Sequence, residues 1–225
     1  MSILFCTISC LCVLDFVSGS ERTIEWKLET PVFLRGNASI VCTIPDVNNK
    51  PGHMAWTKDG KLIGLNTASS NATKYELFTK YIMNSMMYTL NIIDIALEDL
   101  NLVYKCESGF SSAAGFLPLN VDTFVALPEK KDISRKFTSK DGFLHYVLEV
   151  SSVYPLPKCD AAFKGKDITK FSTTMYSNES RLYSMTFDLI YQNDECGNIT
   201  ISCVIGKHVF SRLDVANDFK YCQGE

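Results

Sequence analysis

Beyond residue 20 the chain breaks into short runs that alternate apolar and polar positions, separated by turn residues. In Ser39–Ile44, Ile40 and Cys42 fall on one face. Met54–Thr57 leads into Lys58-Asp59-Gly60-Lys61, where Asp-Gly marks a tight hairpin. Met87–Ile93 alternates with Tyr88, Leu90 and Ile92 on one side, Leu102–Glu107 follows, and Phe116–Val121 closes a first unit. A period of two predicts half-buried strands rather than helices, and only Asp94–Leu100 reads as a helical turn. The second half repeats the theme through Phe143–Val150, Cys159–Phe163 with a Lys164-Gly165-Lys166 turn, Arg181–Tyr191, and a final hairpin of Asn198–Ile205 and His208–Leu213 around Gly206. Val121–Pro128 joins the halves with no Gly/Ser-rich stretch, which predicts a short, stiff connection. The expected fold is all-β, two tandem β-sandwiches, with domains at 21–122 and 123–225.

Residues 1–20 read differently. Ile3 to Val17 is apolar and ends at the small residues Ser18, Gly19 and Ser20, as a cleaved signal peptide does. Three of the nine cysteines (Cys6, Cys10 and Cys12) lie there and leave with it. The remaining Cys42, Cys106, Cys159, Cys196, Cys203 and Cys222 form an even set, expected to pair in an oxidising compartment. Sequons at Asn37, Asn71, Asn178 and Asn198 fit the same secretory route and are expected as glycosylation sites. No later apolar run reaches the roughly 18 residues a membrane span needs, so a secreted, extracellular product without membrane insertion is expected. The net charge is −3. Loss of Asp15 with the leader makes it −2, too small a field to draw in nucleic acid.

Cys42, Trp56 and Tyr104-Lys-Cys106 together resemble the immunoglobulin superfamily signature, and the likeness extends over residues 24–122. The resemblance implies a Cys42–Cys106 cystine pinning two sheets, Trp56 packed beside it, a corner-forming Tyr104, and Leu90 and Ile92 in the core. The long span between the two cysteines leaves room for extra strands in residues 62–80, as in variable-type domains. The second half resembles an atypical constant-type domain. Leu148 stands where that family has its first cysteine, Cys203 keeps the second, and Cys159 begins the neighbouring strand. The pairing expected on this resemblance is Cys159–Cys203 with Cys196–Cys222, and the alternative is Cys159–Cys222 with Cys196–Cys203.

Catalytic chemistry finds little support. The three histidines (His53, His145 and His208) show no metal-ligand spacing, no nucleophile or phosphate-loop motif is present, and no cofactor or metal is expected. Glu98-Asp99 reads as a surface turn, and Lys130, Lys131, Arg135 and Lys136 as a solvated basic face. The immunoglobulin likeness implies binding through the loops at one end of the first sandwich and through its G-F-C-C′ face. There Ser108–Gly115 reads as a flexible F–G loop carrying one large apolar residue, Phe110. The expected function is therefore non-enzymatic: recognition of an extracellular or cell-surface protein partner in immune recognition or modulation. The alternative is an adhesive or structural protein that self-associates.

Overall fold

The computed structural model describes residues 23–45, 52–140, 142–179, 181–192 and 197–215. The leader, Cys196 and Cys222 lie outside these residues, and so does the pairing expected of the last two.

The first sandwich is built from β1 (Glu25–Leu28), β2 (Val32–Phe33), β3 (Ala38–Ile44), β4 (Met54–Lys58), β5 (Lys61–Leu65), β6 (Ala68–Ser69), β7 (Tyr75–Ile82), β8 (Ser85–Ile92), β9 (Val103–Ser108), β10 (Ser111–Phe116) and β11 (Phe124–Val125). One sheet runs β1-β3-β8-β7 and the other β10-β9-β4-β5-β6, while β2 pairs in parallel with β11. This is the variable-type layout, with two additional strands beyond β4. Asp59 and Gly60 both take positive φ (46° and 76°). That conformation gives the tight turn that Asp-Gly favours and sets Lys58 opposite Lys61.

The alternation of β8 delivers Met86, Tyr88, Leu90 and Ile92 to the core, all fully buried. On the facing sheet Trp56 and Cys106 are cross-strand neighbours, and the indole sits 5.8 Å from the Tyr88 ring. Cys42 and Cys106 are joined across the two sheets. Tyr104 donates from its hydroxyl to the Asp99 carbonyl at 3.2 Å, tying the turn Leu97–Asp99 to β9.

Two expectations for this unit need correction. The run Ser108–Gly115 is not a loop. Ser111–Phe116 pairs along its whole length with β9, so only Gly109 and Phe110 connect the strands, and the closing strand lies earlier than Phe116–Val121. The small residues of β10 carry no hydrophobic rhythm, which hid the strand. Asp99 is also not a surface residue. It is 3% exposed and accepts from Lys58 Nζ at 2.7 Å, Lys74 Nζ at 2.6 Å and the Ala96 N–H at 3.0 Å.

The second sandwich comprises β12 (Ile133–Lys140), β13 (Phe143–Val153), β14 (Lys158–Phe163), β15 (Lys166–Asp167), β16 (Ser172–Glu179), β17 (Leu182–Gln192), β18 (Ile199–Ile205) and β19 (His208–Val215). Its sheets run β12-β13-β17-β16 and β15-β14-β18-β19, close to a constant-type layout. Cys159 and Cys203 are joined, and they stand directly opposite each other in one sheet with Cα atoms 4.1 Å apart. Cys159 thus occupies the place Trp56 holds in the first sandwich, opposite the cysteine of the neighbouring strand in its sheet. Leu148, fully buried and paired with Phe187, fills the place of Cys42, which pairs with Tyr88. Among the described residues, no disulfide joins the second pair of sheets, which are held by packing and by polar contacts such as the hydrogen bond from Arg135 to Ser211.

The two units share a seam. Phe124 and Ala126 join the first core while Val125, between them, joins the second. Ala126 and Tyr154 exchange backbone hydrogen bonds of 2.8 and 3.1 Å. Phe124, Tyr154 and Tyr183 form a run of ring contacts, and Arg181 donates to the Leu97 carbonyl at 3.0 Å. Such a connection is far stiffer than a free linker.

Two stability predictions follow from this packing. Burial pushes the Asp99 carboxyl up, but Lys58, Lys74 and the Ala96 N–H outweigh it and leave it below the ordinary aspartate value. A lowered carboxyl contributes stability that is complete above about pH 4 and drains away as the pH falls further. Asp99→Ala should cost about 3 kcal/mol at neutral pH. It should also flatten the acid limb of a chemical-denaturation series; an unchanged limb would contradict the assignment. Replacing Cys42 and Cys106 together by alanine opens a 64-residue loop. It should lower the stability of the first sandwich by about 4 kcal/mol in urea unfolding.

Candidate binding face

The outer surface of the β10-β9-β4-β5-β6 sheet is set by strand register. Tyr104, Cys106 and Trp56 point into the core, so their chain neighbours point out. Ala114, Lys105, Thr57 and Leu62 lie side by side in one cross-strand row, and Ser112, Glu107, Ala55 and Leu65 in the next. Phe116 and Val103 begin a third row. Leu62 and Phe116 are more than half exposed, and Leu65 nearly so.

The charges on this face cancel. Lys105 and Glu107, two residues apart on β9, form an ion pair of 2.6 Å. Ala55 and Thr57 keep β4 low between the Lys105–Glu107 pair on β9 and the exposed Leu62 and Leu65 on β5, and Phe116 stands at the β10 edge. At the end of the sheet the Gly109-Phe110 turn holds the Phe110 ring wholly in solvent. Gly109 takes positive φ (59°), the conformation that a two-residue connection demands there. On the inner side, Gly115 gives Trp26 room, since a Cβ at that position would lie 2.5 Å from the indole. An internally neutral face edged by exposed apolar side chains suits a protein partner.

The other residues singled out from sequence scatter. Asn37, Asn71, Asn178 and Asn198 are all exposed. The Asn71 side-chain oxygen accepts from the Thr73 hydroxyl at 2.8 Å, closing the sequon into a compact turn. His53 is exposed, His145 contacts Asp188 at 2.9 Å, and His208 packs edge-on to Phe33 across the seam, so no two histidines meet. Among the described residues no cluster of three metal-type ligands occurs. In the basic segment, Lys131 pairs with Glu129 at 3.0 Å and Arg135 donates to Ser211 at 3.2 Å. Phe116, Leu65 and the Lys105–Glu107 pair escaped the sequence reading. Phe116 ends β10, whose alanines and serines display no alternation, while Leu65 lies in β5 and the ion pair in β9, and only the strand register brings them onto one face.

Compared with solved structures, the chain is similar to bovine butyrophilin, with a TM-score of 0.56 and 13% identity over 87% of this chain and 95% of that one. It is also similar to the full ectodomain (Ig1 to Ig3) of mouse nectin-like molecule 4, with a TM-score of 0.60 and 12% identity over 83% of this chain and 65% of that one. No protein-family model and no curated protein sequence matches it. Likeness at these identities shows the fold.

Because the Phe110 ring touches solvent rather than β10, Phe110→Ala should change stability by no more than about 0.5 kcal/mol. A loss above 1 kcal/mol in thermal or urea unfolding would show that the ring has a packing role instead.

Proposed function

We propose, on the premise that the chain is two immunoglobulin folds in tandem, that it is a secreted, non-enzymatic recognition protein. It binds an extracellular or cell-surface protein through the β10-β9-β4-β5-β6 face and the Phe110 turn of its first domain. The domains are 21–122 and 123–225, following a leader at 1–20. The observation that carries this reading is the composition of the face: Leu62, Leu65, Phe116 and Phe110 exposed around a neutral centre. Exposed large apolar groups on a rigid sheet are costly to keep in water unless a partner covers them. The stiff seam lets the second domain act as a spacer that presents the first, in the setting of immune recognition or modulation.

The test is capture from cell surfaces with the secreted chain as bait. Leu62→Asp and Phe116→Asp together place two charges on the face without touching the core, and Phe110→Asp does so at the turn. Thr89→Asp, on the outer side of the opposite sheet, is the control. Capture by wild type and Thr89→Asp, with at least a tenfold loss for the face variants, is the expected result. Equal capture by all of them would remove this face from the account.

A further inference from the structure

The second domain leaves one sheet edge open. All eight residues of β16 pair with β17, from Ser172 opposite Leu189 to Glu179 opposite Leu182, and among the described residues no strand pairs with its other side. The facing sheet offers no cover, because its nearby edge strand, β15, is two residues long. The sequence Ser172-Thr-Thr-Met-Tyr-Ser-Asn178 contains no charge, proline or glycine. Free strand edges with this composition add strands from other chains.

The other edges of the domain are guarded. β12 carries Arg135 and Lys136, both residues of β15 are charged, and β19 includes Arg212 and Asp214 in its sequence. Met175 is 59% exposed on the open strand, and Phe171, just before it, 48%. Tyr176 reaches back across the sandwich edge and donates to the Pro157 carbonyl at 2.9 Å. At its far end this edge carries the Asn178 sequon, exposed, and then Glu179 as the last residue of the strand.

We propose that β16 is a self-pairing strand, and that a glycan on Asn178 keeps it closed. The occupant is a second copy of this chain. An antiparallel pair about a two-fold axis lays a strand against itself, so length and composition match without further design. Residues opposed across such an axis lie on the same side of the sheet, so the register sets Met175 opposite Met175 of the second copy, runs from Ser172 to Asn178, and brings the two exposed methionines together at the axis. The same register sets Asn178 of each chain opposite Ser172 of the other. A branched glycan there leaves no room for the second strand, whereas a bare asparagine does.

The experiment uses the full secreted chain from a glycosylating host, with site occupancy read by mass spectrometry and particle mass by sedimentation. Wild type should be occupied at Asn178 and monomeric. Asn178→Gln should double the particle mass at tens of micromolar, while Asn71→Gln should not. Adding Met175→Lys to Asn178→Gln should restore the monomer. The proposal fails if Asn178→Gln stays monomeric, if the dimer survives Met175→Lys, or if wild type is monomeric with Asn178 bare.

Discussion

One placement of sulfur organises the first domain. Cys106 lies opposite Trp56 within its sheet and is joined to Cys42 in the other. The cystine and the indole therefore occupy the same layer, with Tyr88 closing it from the facing strand. Everything on the binding face is the outward complement of that inward set. Fixing Cys106 and Tyr104 inside fixes Lys105 and Glu107 outside, and fixing Trp56 inside fixes Ala55 and Thr57 outside.

The second domain keeps the architecture but moves the bridge. A cysteine takes the indole position and a leucine the first cysteine position. The cystine then joins two strands of one sheet and does nothing to hold the sheets together. The cohesion comes from Tyr146, Leu148, Phe187, Leu189, Ile199 and Ile201, all buried. Within one chain the same layout is therefore held in two ways, by a bridge between sheets and by apolar packing.

Much of this was legible in the sequence wherever a strand buries one face. The strands β3, β4, β8, β9, β13, β14, β17 and β18 alternate, and their residues announced them. Edge strands with few inward positions did not. β7 buries only Tyr75 and Leu77 before running out into solvent. β16 shows mostly exposed residues along its length, and β10 is built of small residues. Asp99 was illegible for another reason. Its two lysines lie 41 and 25 positions away in the chain, so only the fold reveals that the carboxylate is paired. The binding face shares that limit, because its rows combine residues from four strands. Phe110 stood out because a large apolar group beside glycine at a strand end is conspicuous without any neighbours.

The placement of the bridges is the claim on which the outward-facing sets of both domains rest, and peptide mapping of the non-reduced, glycosidase-treated protein tests it directly. The account predicts one linked pair containing Cys42 and Cys106 and another containing Cys159 and Cys203. Finding Cys159 linked to Cys222, or Cys42 and Cys106 as free thiols, would contradict it.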